Sequence, residues 1–296
     1  MLKLMPENTV CISVPPSPLL GGIIIAICEG LTEFDEFNLC LNIDEDLKAQ
    51  IRSIGPVIEF AKSIIGVKSI RIFCGSEVLK TYGICPASTH IHKNINRNIN
   101  SPQRLLYFLK SGRSIIFPRV SNNYLDMAKI KIGISGSYIV IHANLGESLG
   151  TYRNLRQKFE SKGYLSDWQS GIEKIAILFP KVAIALIGAD AIKFAPFSQK
   201  NVFNLELLGI SLAEQMSLIP DANYFLGMSS GPSALAILSQ TPYTIFKHPK
   251  HHAWQMLFQL KLNKRFLFSN RSQFYIRKYP TKTTIYEALL FGAKLR

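Results

Sequence analysis

No apolar run in this sequence is long enough to cross a membrane as a helix. The longest, Leu19 to Cys28, has about ten residues and is interrupted by Gly21-Gly22, where a spanning helix needs about twenty. Nor is there a CxxC pair. The five cysteines (Cys11, Cys28, Cys40, Cys74 and Cys85) are odd in number and sit mostly in apolar surroundings. That argues for buried, reduced thiols in a reducing compartment over a disulfide framework or a metal site. Met1–Val10 holds one Lys before Pro6 and Glu7, and no apolar core follows before Pro15-Pro16, so no secretory signal is expected. Heptad, collagen-like and low-complexity tracts are missing, as are RNA-binding aromatic motifs, zinc fingers and helix-turn-helix signatures. Acids become scarce towards the C-terminus. After Lys247 the sole acid is Glu287, facing Lys250, Lys261, Lys264, Arg265, Arg271, Arg277, Lys278 and Lys282.

What is present is the mixture of a folded globular protein: 296 residues, 47% hydrophobic and 18% charged, with a formal net charge of +14. That length suits two domains of roughly 150 residues. The charge is compatible with anionic substrates, an anionic membrane surface or nucleic acid. An acidic stretch (Glu29, Glu33, Asp35, Glu36, Asp44, Glu45, Asp46) lies near the N-terminus, so the basic excess belongs to the C-terminal segment. A solvated basic face and peripheral attachment to anionic lipid both fit it; no motif supports nucleic acid.

Apolar runs alternate with helical stretches. Strands are expected at Val10–Val14, Phe37–Ile43 and Ser69–Phe73, with helices at Leu19–Leu31 and from Asp44 to about Ile65, the latter broken near Gly55-Pro56. Ser114–Phe117 reads as a further strand and Asn122–Ile132 as a helix. Gly133, Ser135, Gly136 and Ser137 form the best linker, placing a boundary that divides the chain into 1–135 and 136–296. A second alternation follows: strand Tyr138–Ala143, helix Asp167–Phe179, strands Val182–Gly188 and Asn201–Leu205, a capping box at Ser211-Leu212-Ala213-Glu214 with its helix ending before Pro220, strand Asn223–Leu226, helix Pro232–Gln240 and strand Tyr243–Phe246. Two successive βαβ arrays of this kind form parallel sheets covered by helices.

The sharpest local feature is Asn223-Tyr-Phe-Leu-Gly-Met-Ser229-Ser230-Gly231-Pro232-Ser233-Ala-Leu-Ala. An apolar strand enters a turn of small residues and an Ala/Leu helix leaves it. Pro232 suits the first helical position, since its missing N–H had no partner to lose. Free amides and the positive dipole end of such a turn bind phosphate, and Gly231 allows close approach. A plain Ser-capped helix reads equally from the spacing.

The surroundings of that turn resemble the C-terminal lobe of GT-B glycosyltransferases, in particular the bacterial surface-polysaccharide and heptosyltransferase-like ones. The resemblance rests on the strand Tyr138-Ile-Val-Ile-His-Ala-Asn144, the pair Arg153-Asn154, the Gly-ended strand Val182–Gly188 and the segment Asp221–Ala236, and it covers about residues 136 to 246. It implies an α/β fold of two Rossmann-like domains facing each other across a cleft, with an acceptor-side domain over 1–135 and a donor domain over 136–296. It also implies a donor site in which Ser229, Ser230, Gly231, Pro232 and Ser233 hold the diphosphate. Arg153 offers its planar fork to the same phosphates, with Asn144 and Asn154 beside it. Gly188 lies at a strand end and Glu206 reaches a ribose hydroxyl. Two departures stand out. His142-Ala143-Asn144 replaces a strand end that often carries Arg, and the loop Pro15-Pro16-Ser17-Pro18 lacks the acid that inverting members often place there.

For the base that deprotonates the acceptor, Glu147 and the histidines His90 and His92 are the candidates. His248, His251 and His252 have no Cys or acid nearby to complete a metal site and read as a polar loop. The expected activity is transfer of a sugar from a nucleoside-diphosphate sugar to a glycan or lipid-linked acceptor, without metal or cofactor. The expected place is the cytoplasm, with a peripheral contact at the inner membrane face and no nucleic-acid partner. A sugar-nucleotide epimerase or hydrolase on the same scaffold, and a non-catalytic nucleotide-sugar-binding partner, are the competing readings.

Overall fold

A computed structural model describes residues 8–14, 19–43, 51–74, 90–92, 111–112, 114–143, 164–246, 260–261, 265–266, 270–276 and 278–295. The chain divides into two compact units. One comprises Met1–Ser121 with Trp254–Gln259, the other Asn122–Ala253 with Leu260–Arg296. The division falls before the helix Asn122–Ile132, upstream of the Gly/Ser segment at 133–137.

The first unit is built on a four-stranded sheet. β1 (Thr9–Val14), β2 (Phe37–Ile43) and β3 (Val67–Cys74) run parallel, and β4 (His90–His92) pairs antiparallel with β1 at the edge, giving the order β3-β2-β1-β4. Helix α1 (Leu19–Glu33) links β1 to β2, and α2 (Ile51–Lys62) links β2 to β3. α1 is apolar nearly all round, and Ile23, Ile24, Ala26, Ile27 and Cys28 are fully buried, which explains an apolar run too short for a membrane. Among the described residues no helix is long and apolar enough to cross one. α2 continues through Gly55-Pro56 instead of breaking there. Proline removes only its own amide from the ladder, and Ile54, Val57 and Phe60 on its buried face hold the helix in place. Ser114–Phe117 is not a strand. Its backbone is satisfied by side chains of α1: Ile116 N–H donates to Thr32 Oγ1 at 3.1 Å, and the Cys28 thiol donates to the Ile116 carbonyl at 3.4 Å. Cys28 and Cys40 are free and buried. Burial, reinforced by the Glu29 carboxylate, pushes the Cys28 thiol far up, so it remains protonated and inert.

The second unit begins with α3 (Asn122–Ile132) and contains a six-stranded parallel sheet. Its strands are β5 (Tyr138–His142), β6 (Ala183–Leu186), β7 (Val202–Asn204), β8 (Tyr224–Met228), β9 (Tyr243–Phe246) and, beyond a short hairpin of β10 (Leu260–Lys261) and β11 (Arg265–Phe266), β12 (Gln273–Ile276). The spatial order is β12-β9-β8-β5-β6-β7, with every neighbouring pair parallel. The chain therefore winds outward from β5 through β6 and β7, returns to the other side of β5, and winds outward again through β8, β9 and β12. This is the doubly wound order.

Alternation along the strands separates two faces. Ile139, Ile141, Tyr224, Leu226 and Met228 share one core with α4 (Tyr164–Leu178) and α7 (Lys282–Lys294), where Trp168, Ile172, Ile285 and Leu289 are fully buried. Gly292 of α7 leaves room for the Tyr224 ring, which a Cβ there would strike. The opposite face carries α3, α5 (Leu212–Asp221) and α6 (Gly231–Ile237). There Tyr138 donates its hydroxyl to the Leu218 carbonyl at 3.0 Å, and the Lys129–Asp221 pair joins α3 to α5 at 2.5 Å. α5 opens with the anticipated capping box between Ser211 and Glu214, and it runs through Pro220 to Asp221 rather than ending before the proline. So late in a helix, the proline forfeits a single bond. α6 is shorter than the sequence suggested. Leu238 leaves the helical region (φ −93°, ψ 38°) and the Ser239 hydroxyl takes the Ala236 carbonyl at 3.0 Å.

Candidate functional site

In a doubly wound sheet, ligands lie beyond the carboxyl ends of the strands where the winding reverses. Here the reversal falls between β5 and β8, which pair with His142 opposite Gly227. The residues following each strand bring a compact polar cluster to this edge. β5 ends at His142, β6 leads to Gly188, β8 leads to Ser229 and Ser230, and β12 supplies Tyr275.

His142 is the centre of the cluster, although it closes an otherwise apolar strand. It is buried. Its Nδ1 lies 2.9 Å from Ser230 Oγ. The opposite edge of the ring lies against Gly188: a Cβ built on that glycine would fall 2.6 Å from both Cδ2 and Nε2 of the imidazole. Gly188 has φ 84° and ψ 159°, a region open essentially to glycine alone. Burial depresses the His142 pKa to about 4, partly opposed by the Asp190 carboxylate, so the imidazole is neutral at physiological pH. Asp190 itself pairs with Lys193 at 3.1 Å.

Ser230 is the N-cap of α6, yet its hydroxyl makes no bond to the helix amides. It turns instead to His142, to the Met228 carbonyl at 3.0 Å and to Ser233 Oγ at 3.3 Å. Ser233, itself buried, donates its hydroxyl to the Met228 carbonyl. Ser229 accepts from the Tyr275 hydroxyl at 3.0 Å. The helix starts at Gly231, so Pro232 occupies its second position, not the first. Gly231, Pro232 and Ser233 are buried, while Ser229 and Ser230 are half-exposed. Of the predicted turn, these last two side chains are the ones within reach of a ligand.

The spacing Gly227-x-Ser229-x-Gly231 is also that of a nucleophile elbow, in which a strained serine stands clear of the turn. Ser229 is not in the left-handed region, since Asn8 is the one non-glycine residue with positive φ among the described residues. The hydroxyl of Ser229 is bonded by Tyr275 and the histidine faces Ser230 instead. The turn therefore lacks the backbone geometry and the serine–histidine pairing of a nucleophile elbow.

A second layer supports the cluster. The Gly188 amide donates to Gln215 Oε1 at 2.8 Å, and Gln215 Nε2 donates to Glu206 Oε2 at 2.9 Å and to the Ile210 carbonyl at 2.8 Å. Glu206, expected at a ribose, is exposed and holds Gln215 with one carboxylate oxygen. The structure thus gathers Gly188, Ser229, Ser230, Gly231, Pro232 and Ser233 at one sheet edge, with Glu206 behind Gly188. Asn144, Glu147, Arg153 and Asn154 lie outside the described residues, as do His248, His251 and His252. His92 ends the edge strand of the first unit, its backbone paired with Thr9. Among the described residues no group of acids, histidines and cysteines could hold a metal ion.

Sequence reasoning noted His142 merely as a departure and passed over Gln215 and Tyr275. A histidine ending a wholly apolar strand was a usable signal for the first; for the other two no local signal exists. No protein-family model matches the chain, and no curated protein is similar enough to align with it.

Proposed function

We propose that the protein is a glycosyltransferase of the GT-B kind, moving a sugar from a nucleoside-diphosphate sugar to a glycan or lipid-linked acceptor. The observation that carries the reading is the convergence of Ser229, Ser230, His142 and Gly188 on the reversal point of a doubly wound parallel sheet. The turn after β5 has no G-x-G-x-x-G, which argues against a dinucleotide cofactor. Hydroxyl donors and an uncapped helix start suit phosphate oxygens. The resemblance of residues 136 to 246 to a GT-B donor lobe supplies the chemistry: the site holds the leaving diphosphate while a base deprotonates the acceptor. In this reading Arg153, Asn144 and Asn154 complete the phosphate site, Glu147 or His92 serves as base, and the basic C-terminal segment meets an anionic membrane surface.

One observation favours binding without turnover. Asp190 is paired with Lys193, and Glu206 holds Gln215, so these two carboxylates, among the described residues beside the cluster, are already engaged. Calorimetry against UDP-, GDP- and CMP-sugars tests the common premise, and product formation on an acceptor panel separates transferase from partner. Substituting Ser230→Ala together with Gly231→Ala should weaken donor binding by about a hundredfold, from one lost hydroxyl contact and a methyl group that obstructs close approach to the backbone. A wild-type protein that binds none of these donors would overturn the reading.

A further inference from the structure

Helix α4 runs into the apolar sequence Ile175-Ala-Ile-Leu-Phe179, and the core takes only part of it. Ile175 and Ala176 are buried, and Phe179 packs against the same core. Ile177 and Leu178 are left 64% and 56% exposed. This is not a fraying end. Phe179 N–H donates to the Ile175 carbonyl at 2.9 Å, and Val182 N–H donates to the Phe179 carbonyl at 3.0 Å. The side-chain amide of Asn201 reaches the carbonyls of Ala176, Phe179 and Val182 at 3.2, 3.2 and 2.9 Å, which satisfies groups that a helix end would otherwise leave open. An ordered backbone therefore holds two aliphatic side chains out into water.

Cations surround the pair. Lys174 stands one turn back on the same face of the helix, with its Nζ 5.8 Å from the Tyr286 ring centroid. Lys181 follows the helix, and Lys200 adjoins Asn201 and so lies beside the helix end. All three are exposed, and none forms an ion pair among the described residues. The last two turns of α4 hold a single acid, Glu173, which accepts from Gln169 Nε2 at 2.7 Å. Another exposed apolar group has no such setting. Ile192, Leu207 and Leu208 lie on two turns joined by the Asn204 amide and the Ala191 carbonyl at 2.7 Å. There Lys193 is paired with Asp190, and the exposed charge is Glu206. Two side chains expose far less than the ~800 Å² per partner of a standard protein interface. They suit shallow insertion into lipid, with lysine stems lying along the apolar surface and their heads at anionic headgroups.

We propose that the end of α4 is a docking surface for an anionic membrane, Ile177 and Leu178 entering between lipids while Lys174, Lys181 and Lys200 meet the headgroups. Because α4 leads directly into β6, its end lies at the amino edge of the sheet, whereas His142, Gly188 and Ser230 lie at the carboxyl edge. A docked second unit keeps that cluster turned towards water, where a soluble ligand arrives. The inference rests on the membrane contact of the proposed function, to which it adds an apolar anchor outside the C-terminal segment; it does not require sugar-nucleotide binding.

Co-sedimentation of the full chain with vesicles tests it, using phosphatidylcholine alone and phosphatidylcholine with one quarter phosphatidylglycerol. The wild-type protein should bind the anionic vesicles and hold neutral ones far more weakly. I177Q/L178Q should weaken anionic-vesicle binding about tenfold, about threefold for each half-exposed aliphatic. K174Q/K181Q/K200Q should weaken it about a hundredfold, about fivefold for each lysine. L207Q/L208Q removes comparable apolar surface at the opposite edge and should bind as the wild type does. All the substituted side chains are exposed, so the variants keep their fold. The proposal is overturned if the wild-type protein ignores anionic vesicles, binds neutral ones equally, or keeps its affinity in I177Q/L178Q. A wild-type dimer that I177Q/L178Q disperses in sedimentation equilibrium also overturns it, since the surface then belongs to a second copy. Calorimetry with UDP-, GDP- and CMP-sugars keeps the two readings apart: a protein that binds vesicles but no donor refutes the donor site and leaves the docking surface standing, and the converse result refutes the docking surface alone.

Discussion

Gly188→Ala examines the joint between fold and site in one substitution. At φ 84° and ψ 159° a non-glycine residue is strained by about 1–3 kcal/mol. The new Cβ would also fall 2.6 Å from two ring atoms of His142. The imidazole cannot yield freely, since it is buried with Ser230 on its other side, and forcing a shift in such packing costs about 1–3 kcal/mol more. A total of about 3 kcal/mol is a large fraction of the 5–15 kcal/mol that holds a typical protein folded. Two units need not unfold together, so the probe should report on the second alone. Trp168, fully buried in that core, does so when Trp254 is replaced by Phe. With a urea dependence of about 2 kcal/mol per molar, the midpoint should fall by about 1.5 M. Gly209→Ala is the control, because Gly209 has φ 66° but nothing within 4 Å of its would-be Cβ. It should cost about 1 kcal/mol, the backbone strain alone. Equal midpoint shifts for the two variants would refute the claim that the His142 ring is clamped against residue 188.

Two further perturbations test the electrostatics. The unfolded chain protonates His142 near its ordinary value of 6.5, while the folded chain resists until about pH 4. Stability is thus full above pH 6.5 and declines by about 3 kcal/mol as pH falls from 6.5 to 4; urea midpoints from Trp168 fluorescence that stay level across that interval would contradict it. Burial alone would raise the Glu214 carboxyl, but Lys131 and the Ser211 cap outweigh it and hold the pKa below its ordinary value, so its contribution is present above about pH 4.5 and disappears as pH falls through the lowered folded value. Replacing its partner by Lys131→Met leaves a buried carboxylate short of a cation and should cost about 2 kcal/mol, less than a wholly buried pair would lose because Lys131 is partly exposed. Adding Glu214→Gln should recover most of that loss in the same unfolding assay.

Legibility in the sequence followed the range over which each signal acts. Strands such as Phe37–Ile43 and Tyr243–Phe246, helix Asn122–Ile132 and the Ser211 box are encoded by residues within one element, and all were read from it. Ser114–Phe117 had the composition of a strand, but pairing depends on a neighbouring edge. The chain met the Thr32 and Cys28 side chains of α1 instead. β12 and α7 were missed because Phe274 and Tyr275 lie in a stretch whose basic charge masked the apolar period, and because β12 is secured by distant contacts: Gln273 Nε2 donates to the Ser239 and Thr241 carbonyls at 3.0 and 2.9 Å. The site divides the same way. Ser229, Ser230 and Gly188 were visible as a turn and a strand end. What joins them, His142 with Gln215 and Tyr275, spans contacts of 88, 27 and 46 residues along the chain and leaves no local mark.

The helix starts of the second unit show why the Ser230 turn stands apart. α5 and α7 both open with reciprocal boxes: Ser211 and Thr281 accept from the third amide of their helices, and Glu214 and Thr284 reach back to the cap amide. Each such bond contributes about 1 kcal/mol. α6 has the same residue type at its cap, followed three positions later by a serine able to reach back, and makes neither bond. Both hydroxyls turn away, Ser230 towards His142 and Ser233 to the Met228 carbonyl. A sequence that closes the starts of α5 and α7 with reciprocal bonds and leaves that of α6 with neither has given up local stability at a start that lies on the reversal point of the sheet, where the local rules of capping yield to the contact between Ser230 and His142.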